Sequence, residues 1–167
     1  AGDPDDNLRS GIGAGFKGVA GYIFGKNSAV GRKAGVSEKI SMTSPVAAEL
    51  LPHGVYRVSF MMPSKYRMDT LPQPHDDAIC IKERPACRLA AIRWTGASPD
   101  KGKVAEMAQR LRAKLQAAGE MPHGHPMLWQ YHPPFAPAFM RQNEVLLRVG
   151  KLQGVTRNYP ERPSAAS

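Results

Sequence analysis

Three observations predict an α+β fold for this 167-residue chain. Apolar residues recur at helical spacing twice, over residues 7–25 and again between Pro99 and Gly119. Short segments in which apolar and polar residues alternate lie between and after them, as half-buried strands do. The order of these elements also repeats: the second half reads strand, strand, helix, strand, strand, and the first half helix, strand, strand. Taken as copies of one unit, the halves differ by two strands that the first half lacks before its helix.

The first helix is predicted from the stripe Ile12, Phe16, Val19, Ala20 and Ile23. Gly11, Gly13, Gly15, Gly18, Gly21 and Gly25 run through it, and an interior glycine costs a helix about 1 kcal/mol against alanine. Ala14, Gly18, Gly21 and Gly25 share a helical spacing and leave a groove poor in side chains. The groove reads as a close helix–sheet contact, or as room for a flat ring or a partner helix. Residues 26–38 are a basic loop. Residues 39–43 are predicted as a short strand stopped by Pro45, and residues 55–62 as a second, with Tyr56, Val58, Phe60 and Met62 on one face and Arg57 and Ser59 on the other.

Prolines bound the connection over 63–74. Two further strands are predicted at 79–83 and 87–94, either side of Arg84-Pro85. The second helix takes Ser98 as its cap and Pro99 at its first position. Val104, Met107, Ala108, Leu111 and Leu115 form its core stripe, and Gly119 closes it. Residues 121–127 read as a loop, followed by strands at 128–131 and 144–149. Between those strands Pro133, Pro134 and Pro137 stiffen a connection, since proline fixes φ and removes a backbone donor. That loop carries Phe135, Phe139 and Met140 outward beside Arg141. The domain is expected over 7–149, with a processed or trimmed end at 1–6 and a polar tail at 150–167.

Hydrophobic residues make up 42% and charged residues 22% of the chain, a globular rather than a disordered balance. The net charge of +9 favours anionic partners of any kind. The cations are scattered, with no basic run interleaved with aromatics, so no nucleic-acid partner is expected. No apolar run is long enough for a membrane-spanning helix, so any membrane contact is expected to be peripheral. Cys80 and Cys87 are seven residues apart, on opposite faces of a continuous strand that could not bridge them. They are expected to be buried, reduced thiols, which points to a reducing compartment, cytoplasm or chloroplast.

An ordered set of motifs runs through the chain: Gly21-Tyr-Ile-Phe-Gly-Lys-Asn27, Lys39-Ile-Ser-Met-Thr-Ser-Pro-Val46, and Tyr56-Arg-Val-Ser-Phe-Met-Met-Pro-Ser-Lys-Tyr66. Leu71-Pro-Gln-Pro74, Ile81-Lys-Glu-Arg-Pro85, Trp94-Thr-Gly96, Tyr131-His-Pro-Pro134 and Arg141-Gln-Asn-Glu-Val145 follow. In this order the motifs resemble the SOUL heme-binding protein family, over about residues 12–149. The resemblance implies a duplicated strand-strand-helix-strand-strand unit forming a distorted barrel with two flanking helices, like bacterial effector-binding domains. It further implies non-catalytic binding of heme or a related tetrapyrrole in a shallow apolar cleft between the first helix and the loop before the last strand. On this sequence the cleft maps to Phe16, Ala20, Ile23 and Phe24, and to Phe135, Phe139, Met140 and Arg141, with Lys17 as the propionate partner. The family begins with two strands, the first bearing one member's proposed axial histidine, and this chain has no matching residue.

His132 heads the double-proline loop, where it could bond the adjoining backbone or reach an iron. His123 and His125 flank a glycine in a turn with no third ligand nearby, and His53 and His75 have no visible partner. Met42, Met61, Met62, Met107, Met127 and Met140 are read mainly as adaptable core filling. Arg141 and Glu144 are read as braces of the loop. Ser41, Thr43 and Ser44 have no adjacent base and no phosphate loop is present, so no enzyme activity is expected. Two functions follow: a tetrapyrrole carrier or buffer, or an accessory subunit docked on a larger assembly, such as a photosynthetic membrane complex. In the second, a partner chain would cover the edge left by the absent strands.

Overall fold

Two helices lie against one face of a five-stranded antiparallel sheet in the computed structural model, which describes residues 6–33, 35–133 and 135–150. The elements run α1 (Asp6–Ile23), β1 (Asn27–Ser28), β2 (Val46–Leu50), β3 (Tyr56–Phe60), β4 (Gln73–Pro74), β5 (Arg88–Thr95), α2 (Lys101–Ala117), β6 (Pro122–Gln130) and β7 (Gln142–Val149). Sheet order is β3-β2-β6-β7-β5, and β1 and β4 form a separate two-stranded ribbon. The repeat is visible in space. α1-β2-β3 and α2-β6-β7 are each a helix followed by an antiparallel pair, joined through β2 and β6.

The register explains the core. Val58, Ala48, Leu128, Val145 and Ile92 form one row across all five strands. Leu8 from α1 and Val104, Met107 and Ala108 from α2 bury that row's centre. α1 comes close to β3 because two of its glycines have no side chain. A Cβ at Gly11 would sit 2.4 Å from Tyr56, and one at Gly15 2.7 Å from Val58. The tight helix–sheet contact therefore runs through Gly11 and Gly15, while Gly18 faces Ile79 and Gly21 faces Lys26.

Several expectations are corrected. The strands form an open sheet rather than a closed barrel among the described residues, with β3 and β5 as its edges. Residues 39–43 are irregular and the strand starts beyond Pro45, at Val46. Their polar groups are used elsewhere: the Ile40 amide donates to Ile23, and the Thr43 hydroxyl to the Met61 carbonyl. Residues 79–83 are also irregular. Ile79 and Ile81 pack on the Tyr22, Ile23 and Ile40 cluster without joining a ladder.

Cys80 and Cys87 consequently lie in the open, exposed rather than buried. The helix cap is Asp100 rather than Ser98, its carboxylate accepting from the Lys103 amide at 2.6 Å. Gly119 does close α2, at φ +73°. Its amide reaches Gln116 and the Glu120 amide reaches Leu115, the paired bonds of a Schellman turn. Residues 122–127, expected as loop, begin β6, whose register shifts between His123 and Met127. The tail beyond Gly150 lies outside the described residues.

Candidate functional site

The connection between β6 and β7 folds back on itself. Ala136 donates its amide to Pro133 at 3.0 Å, and Met140 donates to Pro137 at 2.9 Å, closing a short 3-10 turn over Ala138–Met140. Arg141 donates through Nε to the Ala136 carbonyl at 2.6 Å and reaches Ser98 Oγ at 3.5 Å. The expected brace is present, made to the loop's own backbone. At the loop's head the Gln142 amide donates to His132 Nδ1 at 3.2 Å, the local backbone role anticipated for that histidine.

Asn143 anchors the assembly. It is 1% exposed, and its amide donates to Gly96 and Ala97 at 3.1 and 3.4 Å while Gln130 donates to its Oδ1 at 3.3 Å. The loop is thus tied to the β5–α2 connection. Next to it, Glu144 is 5% exposed, held by Arg93 at 2.6 Å and by the Tyr131 hydroxyl at 2.6 Å. Burial, reinforced by the Glu144 hydrogen bond, pushes the Tyr131 hydroxyl up to about 12. Asn143 belongs to a quoted motif, yet its role went unread. Its signal is a short amide directly before the apolar run Val145-Leu-Leu147 of β7, since a buried amide must find partners.

This braced loop presents apolar surface to solvent. Phe135 is 88%, Phe139 78% and Met140 53% exposed. The C-terminal end of α1 lies at the same end of the sheet, linked by three contacts. Ile40 bonds Ile23 at 2.8 Å, Thr43 bonds Met61, and Ser44 donates to Tyr131 at 3.2 Å. Exposed Phe24, Met42 and Met61 accompany this path, and neither Met42 nor Met61 fills the core as expected. Met107 and Met127 do.

The residues expected from the first helix divide in two. Ala20 and Ile23 are buried in the protein's own core, and Phe16 meets Phe60 edge-on with ring centroids 5.6 Å apart. Lys17 and Phe24 face outward. Asn27 fixes the helix end, its side chain donating to Tyr22 and Glu38 and accepting from the Glu38 amide. His75, expected without a partner, lies 2.8 Å from Ser28 Oγ on the exposed ribbon. Among the described residues no cluster of three histidine, cysteine or carboxylate groups could hold a metal, and no helix is long and apolar enough to cross a membrane.

No curated protein matches the chain. A family model described as SOUL heme-binding protein matches residues 3–148, most of its length and both halves of the repeat. With the motifs in order from α1 to β7, the chain belongs to the SOUL heme-binding protein family.

Proposed function

We propose that this protein binds a tetrapyrrole without chemically changing it, as a carrier or buffer, on the surface shared by the Phe135–Met140 loop and the outer end of α1. The observation that carries this reading is the loop itself: two phenylalanines left almost fully in water on a backbone held by its own hydrogen bonds. A large exposed apolar patch marks an interaction site. Covering a phenyl side chain releases roughly 1.5–3 kcal/mol, so two rings and a methionine suffice for a flat apolar ligand. Ordering the loop in advance removes part of the entropic cost of binding.

Phe24, Phe135, Phe139 and Met140 supply ring contacts in this reading, and Lys17 meets a propionate. Ala20, Ile23 and Phe16 shape the helix end from beneath. His132 has Nδ1 engaged by the Gln142 amide, so iron ligation through that nitrogen would break a brace. Hemin titration followed at the Soret band tests the reading. Saturable binding is expected, weakened about ten-fold by Phe139→Ala or Phe135→Ala and less by His132→Ala. No Soret shift at micromolar protein would overturn it.

A second reading, docking on a larger plastid assembly, draws on one observation: β3 ends the sheet with no strand paired to its outer side among the described residues. A partner strand would cover that edge. A monomer on gel filtration, with no partner recovered in a native pull-down, would count against it.

A further inference from the structure

The cross-strand row Phe60–Val46–Gln130–Asn143–Trp94 runs along one end of the sheet. β3, β5 and β6 finish at this end while β2 and β7 begin there, so four connections leave the sheet together: residues 40–45, 61–66, 96–99 and 131–141. They are tied to one another. Thr43 donates to the Met61 carbonyl, Ser44 to the Tyr131 carbonyl, and the Gly96 amide to the Arg141 carbonyl.

None of the four connections contains an aspartate or a glutamate, whereas they bring the cations Lys65 and Arg141. They also hold Met42, Met61, Phe135, Phe139 and Met140, each at least 45% exposed. Asp100, the residue after the third connection, engages the Lys103 amide with its carboxylate. The opposite end differs: Met121 is exposed there next to Glu120, which pairs with Arg88 at 2.8 Å.

The backbone of the outermost loop suits an apolar surrounding. Pro133, Pro134 and Pro137 have no amide hydrogen to satisfy. The amides of Ala136, Met140 and Arg141 are bonded inside the loop, and Arg141 Nε covers the Ala136 carbonyl. Loss of water around these groups therefore leaves few donors stranded, the usual cost of moving backbone into lipid. A ring as exposed as Phe135 or Phe139 projects from the surface instead of lining a cleft. A rigid partner must be shaped to such rings, but a bilayer interface moulds around them. Interfacial affinity scales with buried apolar area plus attraction to anionic lipid, and the chain's net charge of +9 supplies the attraction.

We propose that this end of the sheet docks on an anionic bilayer. Phe135, Phe139 and Met140 enter the boundary between headgroups and acyl chains, Met42 and Met61 rest at its margin, and Lys65 meets lipid phosphates. The surface overlaps the one assigned to a tetrapyrrole, but the inference does not rest on that reading, because lipid contact needs no tetrapyrrole.

Co-sedimentation of the full chain, free of hemin, with vesicles of phosphatidylcholine and phosphatidylglycerol tests the proposal, against vesicles of phosphatidylcholine alone. Binding to the mixed vesicles is expected, stronger than to the neutral ones and weakened by added salt. Phe139→Ser should weaken it about ten-fold, and the exposure of that side chain spares the fold. Tryptophan emission fixes the orientation. With mixed vesicles the Phe139→Trp variant should shift to the blue, and Met121→Trp, at the opposite end, should not. No sedimentation with mixed vesicles, an affinity that Phe139→Ser leaves unchanged, or equal shifts from the two tryptophan variants would overturn the proposal. Self-association on gel filtration without lipid, abolished by Phe139→Ser, would give this end to a second copy and overturn it as well. Hemin is absent throughout, so failure here is separate from failure of the Soret titration.

Discussion

At position 15 the first helix has no space for a methyl group. A Cβ there would lie 2.7 Å from Val58 Cγ2 and 3.0 Å from its Cβ, whereas one at Gly13 meets nothing within 4 Å. The two substitutions therefore separate helix propensity from packing. Gly13→Ala should raise stability by up to about 1 kcal/mol. Gly15→Ala gains the same propensity but must push helix and strand apart, and overpacking of this kind costs about 1–3 kcal/mol. Chemical denaturation of the pair should show opposite signs, and equal effects would mean that α1 does not rest on β3 at Gly15. Residue 49 makes a pH-dependent prediction. Burial pushes the Glu49 carboxyl up, but Arg148 and Arg57, paired with it at 3.1 and 2.8 Å, outweigh burial and depress its folded pKa. Its contribution is therefore present above the unfolded value of about 4.3 and is lost as pH falls through the lower folded value. In thermal melts, wild type and Glu49→Gln should differ most near neutrality and converge below about pH 4. A gap independent of pH would sink the assignment.

Among elements, the helices were more legible than the strands. The stripe Val104, Met107, Ala108 and Leu111 is buried as the 3.6-residue period requires, and Gly119 ends α2 as expected. At its start Ser98 and Asp100 can each cap by local chemistry, and only their tertiary partners separate them. Ser98 Oγ faces Gln130 and Arg141, leaving Asp100 to hold the Lys103 amide. Asp100→Ala should cost about 1 kcal/mol in denaturation, the usual value for a lost N-cap, and a much smaller loss would argue against this cap. Residues 39–43 and 79–83 have β-forming composition without becoming strands. A run of Ile, Met and Thr specifies a half-buried extended segment, but a ladder also requires a neighbour within reach, which sequence period does not encode. Ile40, Ile79 and Ile81 bury their side chains around Tyr22 and Ile23 instead. β6 departs the other way: Pro-His-Gly-His-Pro has turn composition, yet β7 pairs with its first two residues, Pro122 and His123, and draws it into the sheet.

For the whole molecule, the sheet order predicts where structure opens last. β7 lies between β6 and β5, and five successive residues from Asn143 to Leu147 are buried, on both faces. β3 lies at an edge with all five residues only partly buried. Hydrogen exchange should therefore be slowest for β7 amides and faster for β3 by orders of magnitude, because protection follows the free energy of local opening. Equal protection in solution would mean that the β3 edge is covered. The sequence by itself determined the family, the two helices, the alternating face of β3 and the proline-stiffened loop with its outward Phe135 and Phe139. Each of these rests on local chemistry: a period, a cap, a fixed φ, or an ordered set of motifs. Only the tertiary structure decided that Ala20 and Ile23 turn inward, that Cys80 and Cys87 are exposed, that Asn143 ties the loop to the β5–α2 connection, and that Arg148 crosses β6 to Glu49. Those outcomes depend on which segments, far apart along the chain, come to lie side by side, and no local pattern carries that information.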